Sequence, residues 1–131
     1  TVAETDKSSG SALAKYVTKT VQLDSESNIL KVFLDTNRPQ ATAIDVYYKV
    51  GSDAGGFDDN AYVKMTPTAE TGSDVPYSDD PYIYKEVEYS HDFSGDTPAT
   101  QFTMFAIKIV FTSTTTAKVP SVRNLRAIAL V

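Results

Sequence analysis

Cysteine and tryptophan are absent from this sequence of 131 residues, and histidine occurs once. Without cysteine there can be no disulfide, thiolate metal ligand or thiol nucleophile. The lack of tryptophan removes the flat side chain most often used to stack saccharide rings. Positive charge is also short, with 12 basic against 17 acidic residues and a net charge of −5. The basic residues are scattered rather than gathered, whereas duplex-binding surfaces concentrate them because phosphate contacts dominate affinity. Nucleic acid is therefore not an expected partner. The longest apolar stretches, residues 105–107 and 127–131, fall far short of a membrane span, so no membrane partner is expected either. Residues 1–10 have neither a basic segment nor an apolar one and do not read as a signal peptide.

What is present is a succession of short alternating runs. Residues 1–13 are small and polar without a usable period and read as a flexible leader. From residue 14 onward a chain of this length can bury roughly two-thirds of its unfolded surface in one core. In residues 43–50, Ile44, Val46, Tyr48 and Val50 share one parity and Asp45, Tyr47 and Lys49 the other, as in a half-buried strand. Leu30, Val32 and Leu34 repeat the pattern against Lys31 and Asp35. Residues 14–23 set Val17, Val21 and Leu23 inward against Tyr16, Thr18, Thr20 and Gln22, in a threonine-rich run that favours a pleated surface.

Further runs cover residues 62–65, 82–93 and 102–112. In the last, Phe105, Ile107, Ile109 and Phe111 form one face, while Met104, Ala106 and Val110 leave the other almost uncharged. That composition predicts a central strand covered on both sides. Val122, Leu125, Ile128 and Ala129 fit a helical spacing nearly as well as a strand. The preceding Pro120 and the β character of every earlier run favour the strand. Turn-forming segments separate these runs, and no internal repeat is visible. The expected fold is all-β: an antiparallel β-sandwich of jelly-roll or galactose-binding-like type, with about seven to eight strands over residues 14–131.

Chemistry-bearing residues are few. His91 precedes Asp92, but neighbours on a strand point to opposite faces, and no nucleophile motif accompanies the pair. His91 is read as structural or solvated. The Asp53, Asp58, Asp59 and Asn60 loop, with Gly55 and Gly56, offers hard oxygen ligands of the kind calcium takes, as does the shorter Ser78-Asp79-Asp80 turn. Neither follows EF-hand spacing, and both are read as solvated loops. Tyr77, Tyr82 and Tyr84 could stack a sugar, with Tyr82 and Tyr84 placed on one strand face, or could make aromatic contacts with a neighbouring domain. Glu86 and Glu88 share a face at about the separation of glycosidase carboxylates, and their alternation with Val87 is equally that of a solvent-facing strand. No catalytic, cofactor-binding or metal-binding residue is assigned.

An ordered set of segments carries a resemblance. It consists of Ala14-Lys15-Tyr16-Val17-Thr18-Lys19, Leu30-Lys31-Val32-Phe33-Leu34-Asp35, Asn37-Arg38-Pro39, and Ile44-Asp45-Val46-Tyr47-Tyr48-Lys49-Val50 leading to Phe57-Asp58-Asp59. It closes with Phe105-Ala106-Ile107-Lys108-Ile109-Val110-Phe111-Thr112-Ser113 and residues 118–130. Together they resemble a module of large virion structural proteins of tailed bacteriophages, in particular tail or baseplate components of contractile-tailed phages. The resemblance spans about residues 12–131 and supplies no catalytic residues. It implies a non-enzymatic assembly domain in the virion that packs against other virion protein subunits, with homo-oligomers allowed. The absence of an initiator methionine and the polar leader are read as those of a piece of a longer polypeptide. The closing strand after a proline-led return also resembles galactose-binding-like jelly rolls, which makes a carbohydrate- or receptor-binding module the alternative.

Overall fold

The computed structural model describes residues 12–52, 57, 60–68, 75, 77–78, 80–97, 100–113 and 119–131. They form eight strands: β1 (Ala12–Val17), β2 (Val21–Ser27), β3 (Ile29–Asn37), β4 (Thr42–Gly51), β5 (Val63–Lys64), β6 (Lys85–Asp92), β7 (Phe102–Ser113) and β8 (Ser121–Leu130). Five make one sheet in the order β1-β7-β4-β5, with β2 also paired to β7, and three make the other in the order β6-β3-β8. All pairings are antiparallel. From β2 onward the chain passes repeatedly from one sheet to the other, so neither sheet can close its hydrophobic face without its partner. The expected β-sandwich is what forms.

Alternation dictates the core. Leu30, Val32 and Leu34 of β3 are completely buried, and Ile44, Val46 and Tyr48 of β4 face them with Phe105, Ile107 and Ile109 of β7. Val87 and Tyr89 extend the core from β6. Phe93, in a single 3₁₀ turn after β6, closes one end by edge-on contact with Phe102 at 5.2 Å. The opposite face of β7 is covered too. Met104, Ala106 and Val110 are buried, and Phe57 packs on the first two. Gly51 permits this, because a Cβ there would meet the Phe57 ring at 3.0 Å. The ammonium of Lys49, which is buried, lies 4.7 Å from the Phe57 ring centre and 4.9 Å from that of Tyr62. Lys108 sits over Tyr47 and Tyr62 at 4.8 and 4.7 Å. Cation–π attraction thus lets two lysines lie beneath aromatic cover.

Three expectations need correction. The run over residues 14–23 is two strands, because the chain leaves the ladder at residues 18–20. Thr18 bridges the gap: its N–H donates to the Ile107 carbonyl at 2.9 Å, and its hydroxyl accepts from the Ile107 N–H at 3.0 Å. The interruption reverses the phase. Tyr16 pairs with Ile109 and Val21 with Phe105, on the core face, whereas Val17 pairs with Lys108 and points outward. The first strand also begins at Ala12, inside the expected leader, whose first 11 residues lie outside the described ones. Finally, β6 starts at Lys85 rather than at residue 82.

The helix-like spacing of the last segment has a local cause. Between Phe33 and Asp35 of β3, β8 runs from Arg126 to Arg123, one residue more than its partner. Asn124 takes up the extra residue at φ 58°, a left-handed conformation that asparagine tolerates, and donates to Asp35 Oδ2 at 2.8 Å. The bulge flips the phase, so that Val122 and then Leu125, Ala127 and Ala129 all reach the core.

Ile107→Ala is expected to cost about 2–5 kcal/mol in urea unfolding, as truncations of large buried aliphatic side chains do. Lys108→Ala should cost less, about 1–2 kcal/mol, since it loses two partly exposed cation–π contacts, with Tyr47 and Tyr62. Asn124→Val should destabilise and Asn124→Gly largely spare the fold, because only the former opposes positive φ.

Candidate functional site

The described residues include a groove, a polar cleft and an exposed apolar tip, and the tip is the best-defined candidate. It begins at the end of β3, where Asn37 and Arg38 are buried polar residues. The Asn37 amide donates to the carbonyls of Asp80 and Ile83, each at 2.8 Å. Arg38 donates through Nε to the Thr42 carbonyl at 2.8 Å and through a terminal nitrogen to the Val75 carbonyl. Its own carbonyl accepts from the Ser78 N–H at 2.7 Å. Two buried side chains thereby satisfy the backbone of a segment that has no ladder of its own.

The clamp fixes what the segment displays. Tyr77 stands over the Arg38 guanidinium at 4.3 Å, and Lys85 Nζ donates to the Tyr77 carbonyl at 2.8 Å. Tyr82 and Ile83 follow in a turn closed by bonds from their N–H groups to the Asp80 side chain and carbonyl, at 2.9 and 3.2 Å. Tyr84 lies 2.9 Å from Ser121 Oγ through its hydroxyl and carries Arg123 over its ring at 3.9 Å. Ser121 pairs with Asn37, which brings Val119 to the same end of the molecule. The exposures decide the character of this tip: Tyr82 is 88% exposed, Val119 65%, Ile83 54% and Tyr77 42%. Clustered apolar exposure on a rigid support marks interaction surfaces.

Arg123 also borders a groove of about 320 Å³ between the two sheets, lined by Tyr16, Ile109, Phe111, Val122 and Leu125. The groove exists because β1 and β8, the edges of different sheets, do not pair with each other. At the opposite side a polar cleft of about 210 Å³ includes Tyr48, Lys64, Ser90 and His91. Its polar groups are matched internally: Lys64 pairs with Asp45 at 3.3 Å, and His91 shares a hydrogen bond with Asp96 at 2.9 Å.

The sequence-derived candidates fall into place as follows. His91 meets Asp96, not Asp92, and its ring stacks on Tyr48 at 5.8 Å and edge-on to Phe93 at 4.5 Å. Asp92 instead caps the 3₁₀ turn, accepting from the Ser94 hydroxyl at 2.6 Å and the Ser94 N–H at 3.0 Å. These bonds hold its carboxyl below the usual carboxylate range. Burial, aided by the Asp96 charge, raises the Tyr48 phenol above its ordinary value. Glu86 and Glu88 are not a facing pair in a cleft: Glu86 binds Arg126 at 2.7 Å and Glu88 approaches Lys31 at 3.9 Å on the open face of the β6-β3-β8 sheet.

Tyr82 and Tyr84 do not share a strand face, because β6 begins after both and Tyr82 sits in a turn. Asp53, Asp58, Asp59 and Asp79 lie outside the described residues. Among the described residues, no three acidic or histidine side chains gather as a metal site would require, and no helix is long and apolar enough to cross a membrane. The Arg38 and Arg123 contacts with Tyr77 and Tyr84 were missed, since nothing local in the sequence signals pairings across so many residues.

No family model matches this chain, and no curated protein matches it. A chain from the structure of infectious bursal disease virus Gx strain is similar at a TM-score of 0.39 with 10% identity, over 91% of this chain and 32% of that one. This chain thus spans about a third of the length of that neighbour.

Two solution measurements follow. Because the Tyr48 phenol is raised in the folded state, its contribution is full below the ordinary tyrosine value of about 10 and is lost as pH rises above it. The alkaline fall in melting temperature should therefore be shallower in Tyr48→Phe. A chelator should leave the melting temperature unchanged, whereas a drop of several degrees restored by calcium would place an ion in the loop around Asp58.

Proposed function

We propose that this domain is a non-enzymatic architectural module of a phage tail or baseplate, joining neighbouring virion proteins through the tip formed by Tyr77, Tyr82, Ile83 and Val119. The observation that carries this reading is the tip itself: large apolar side chains held in water by a buried hydrogen-bonded clamp. Burying such groups against a neighbour removes apolar surface from water at roughly 25 cal/mol per Å². Aromatic side chains on preordered backbone lose little entropy on binding, which is why they are enriched at protein interfaces. The resemblance of the ordered strand segments to tailed-phage virion modules supports the tail or baseplate setting. A module of this kind needs no cofactor, since neighbours stabilise it by mass action.

A second reading is favoured by one specific feature. Tyr82 is almost fully exposed and Arg123 backs one face of Tyr84, so the other face of that ring could carry a sugar. The two readings separate cleanly. The double variant Tyr82→Ala with Ile83→Ser should keep the melting temperature of the isolated domain, yet block incorporation into particles or detach a tail component. The isolated wild-type domain should give no signal on a glycan array. A reproducible saccharide signal lost in Tyr82→Ala, with assembly intact, would establish the second reading in place of the first.

A further inference from the structure

The edges of the two sheets are unequally protected against pairing with other chains. In the five-stranded sheet, β5 is only two residues long, and the β1–β2 edge is broken at residues 18–20 and carries Lys15 and Lys19. In the three-stranded sheet, β6 carries Lys85, Glu86, Glu88 and Asp92. It is also covered in part by the Pro67 bridge to Tyr89 and the Thr68 N–H donating to the Glu88 carbonyl at 2.9 Å. The first half of β8 is bent by the bulge at Asn124. Its second half has none of these devices. Residues 127–131 contain no charged side chain, proline or glycine, and among the described residues no strand pairs along their outer edge. Ile128, Leu130 and Val131 are 45, 39 and 84% exposed.

We propose that the second half of β8 pairs antiparallel with the same segment of a second copy, joining two three-stranded sheets into one continuous sheet. The segment is its own complement. An antiparallel register centred on Ala129 sets uncharged side chains against uncharged side chains along the whole run. The nearest charged side chain, Arg126, already binds Glu86 at 2.7 Å and brings no unpaired repulsion to the dyad. The Asn124 bulge falls outside the paired stretch in both copies, so the two strands stay regular where they meet. Such a two-fold contact is isologous and closes on itself. A pairing this short buries an area at the small end of specific interfaces, so association is weak and rises with concentration. The inference does not depend on the role given to the tip.

Sedimentation equilibrium of the full chain across the micromolar range, combined with amide hydrogen exchange, tests it. The wild type should move from monomer to dimer as concentration rises, with residues 127–131 gaining protection in step. Ile128→Lys, which places two like charges close to the dyad on an outward face, should stay monomeric with unchanged circular dichroism and melting temperature. Tyr82→Ala should dimerise like the wild type. A wild type that remains monomeric throughout would overturn the proposal. So would undiminished dimerisation of Ile128→Lys, or a dimer lost in Tyr82→Ala without protection of residues 127–131.

Discussion

The apolar contact between β3 and β7 is the constraint on which the rest of the molecule depends. Each is the middle strand of its sheet, and their facing side chains, Leu30, Val32 and Leu34 against Phe105, Ile107 and Ile109, are all buried. The other strands hang on these two: β1, β2 and β4 on β7, β6 and β8 on β3, and the short β5 on β4. A one-residue slip of either strand would turn its apolar set to water, so the alternation in these two segments fixes register as well as burial. These pairings join residues far apart in sequence, which predicts slow folding relative to helical domains of the same size.

The two outer faces of the sandwich are finished differently, and the difference bears on function. The outside of β7 and β4 is closed by the domain's own Phe57 and Tyr62, with Lys49 and Lys108 tucked beneath the rings. The outside of β3 and β6 is left open and laced with ion pairs such as Glu86 with Arg126. Exposed pairs of this kind add little stability and keep a surface soluble. Among the described residues, apolar side chains are exposed at one end, around Tyr82, along the second half of β8, and also at Tyr16, Val17 and Val21 of β1 and β2 and at Val63 of β5. Of these, the tip around Tyr82 carries the most exposed aromatic side chain.

Much of this was legible from residue order, and the failures are instructive. Strict alternation in residues 30–34, 44–50 and 105–111 identified the core and the doubly covered β7, because side-chain parity is a local property. Parity misled wherever the backbone left the regular ladder. The gap at residues 18–20 reversed Val17, and the extra residue at Asn124 gave Val122 and Leu125 a helical interval within a strand. Neither bulge nor gap carries a glycine or proline that would have announced it. Tyr77, Tyr82 and Tyr84 were recognised as a group, but their arrangement depends on Asn37 and Arg38 reaching about forty residues along the chain, which no sequence window contains.

That long-range clamp is the physical basis of the functional account. A tip whose backbone is satisfied from beneath by buried side chains can hold aromatic groups in water without collapsing onto them, ready for a partner that buries them. Hydroxyl-radical footprinting of the tyrosines, read by mass spectrometry, tests this most directly when the isolated domain is compared with the assembled particle. The account predicts that Tyr77 and Tyr82 are strongly labelled in the isolated domain and protected in the particle, while Tyr89, buried in the core, stays weakly labelled in both and is the internal reference. Equal labelling of Tyr82 in both states would contradict it.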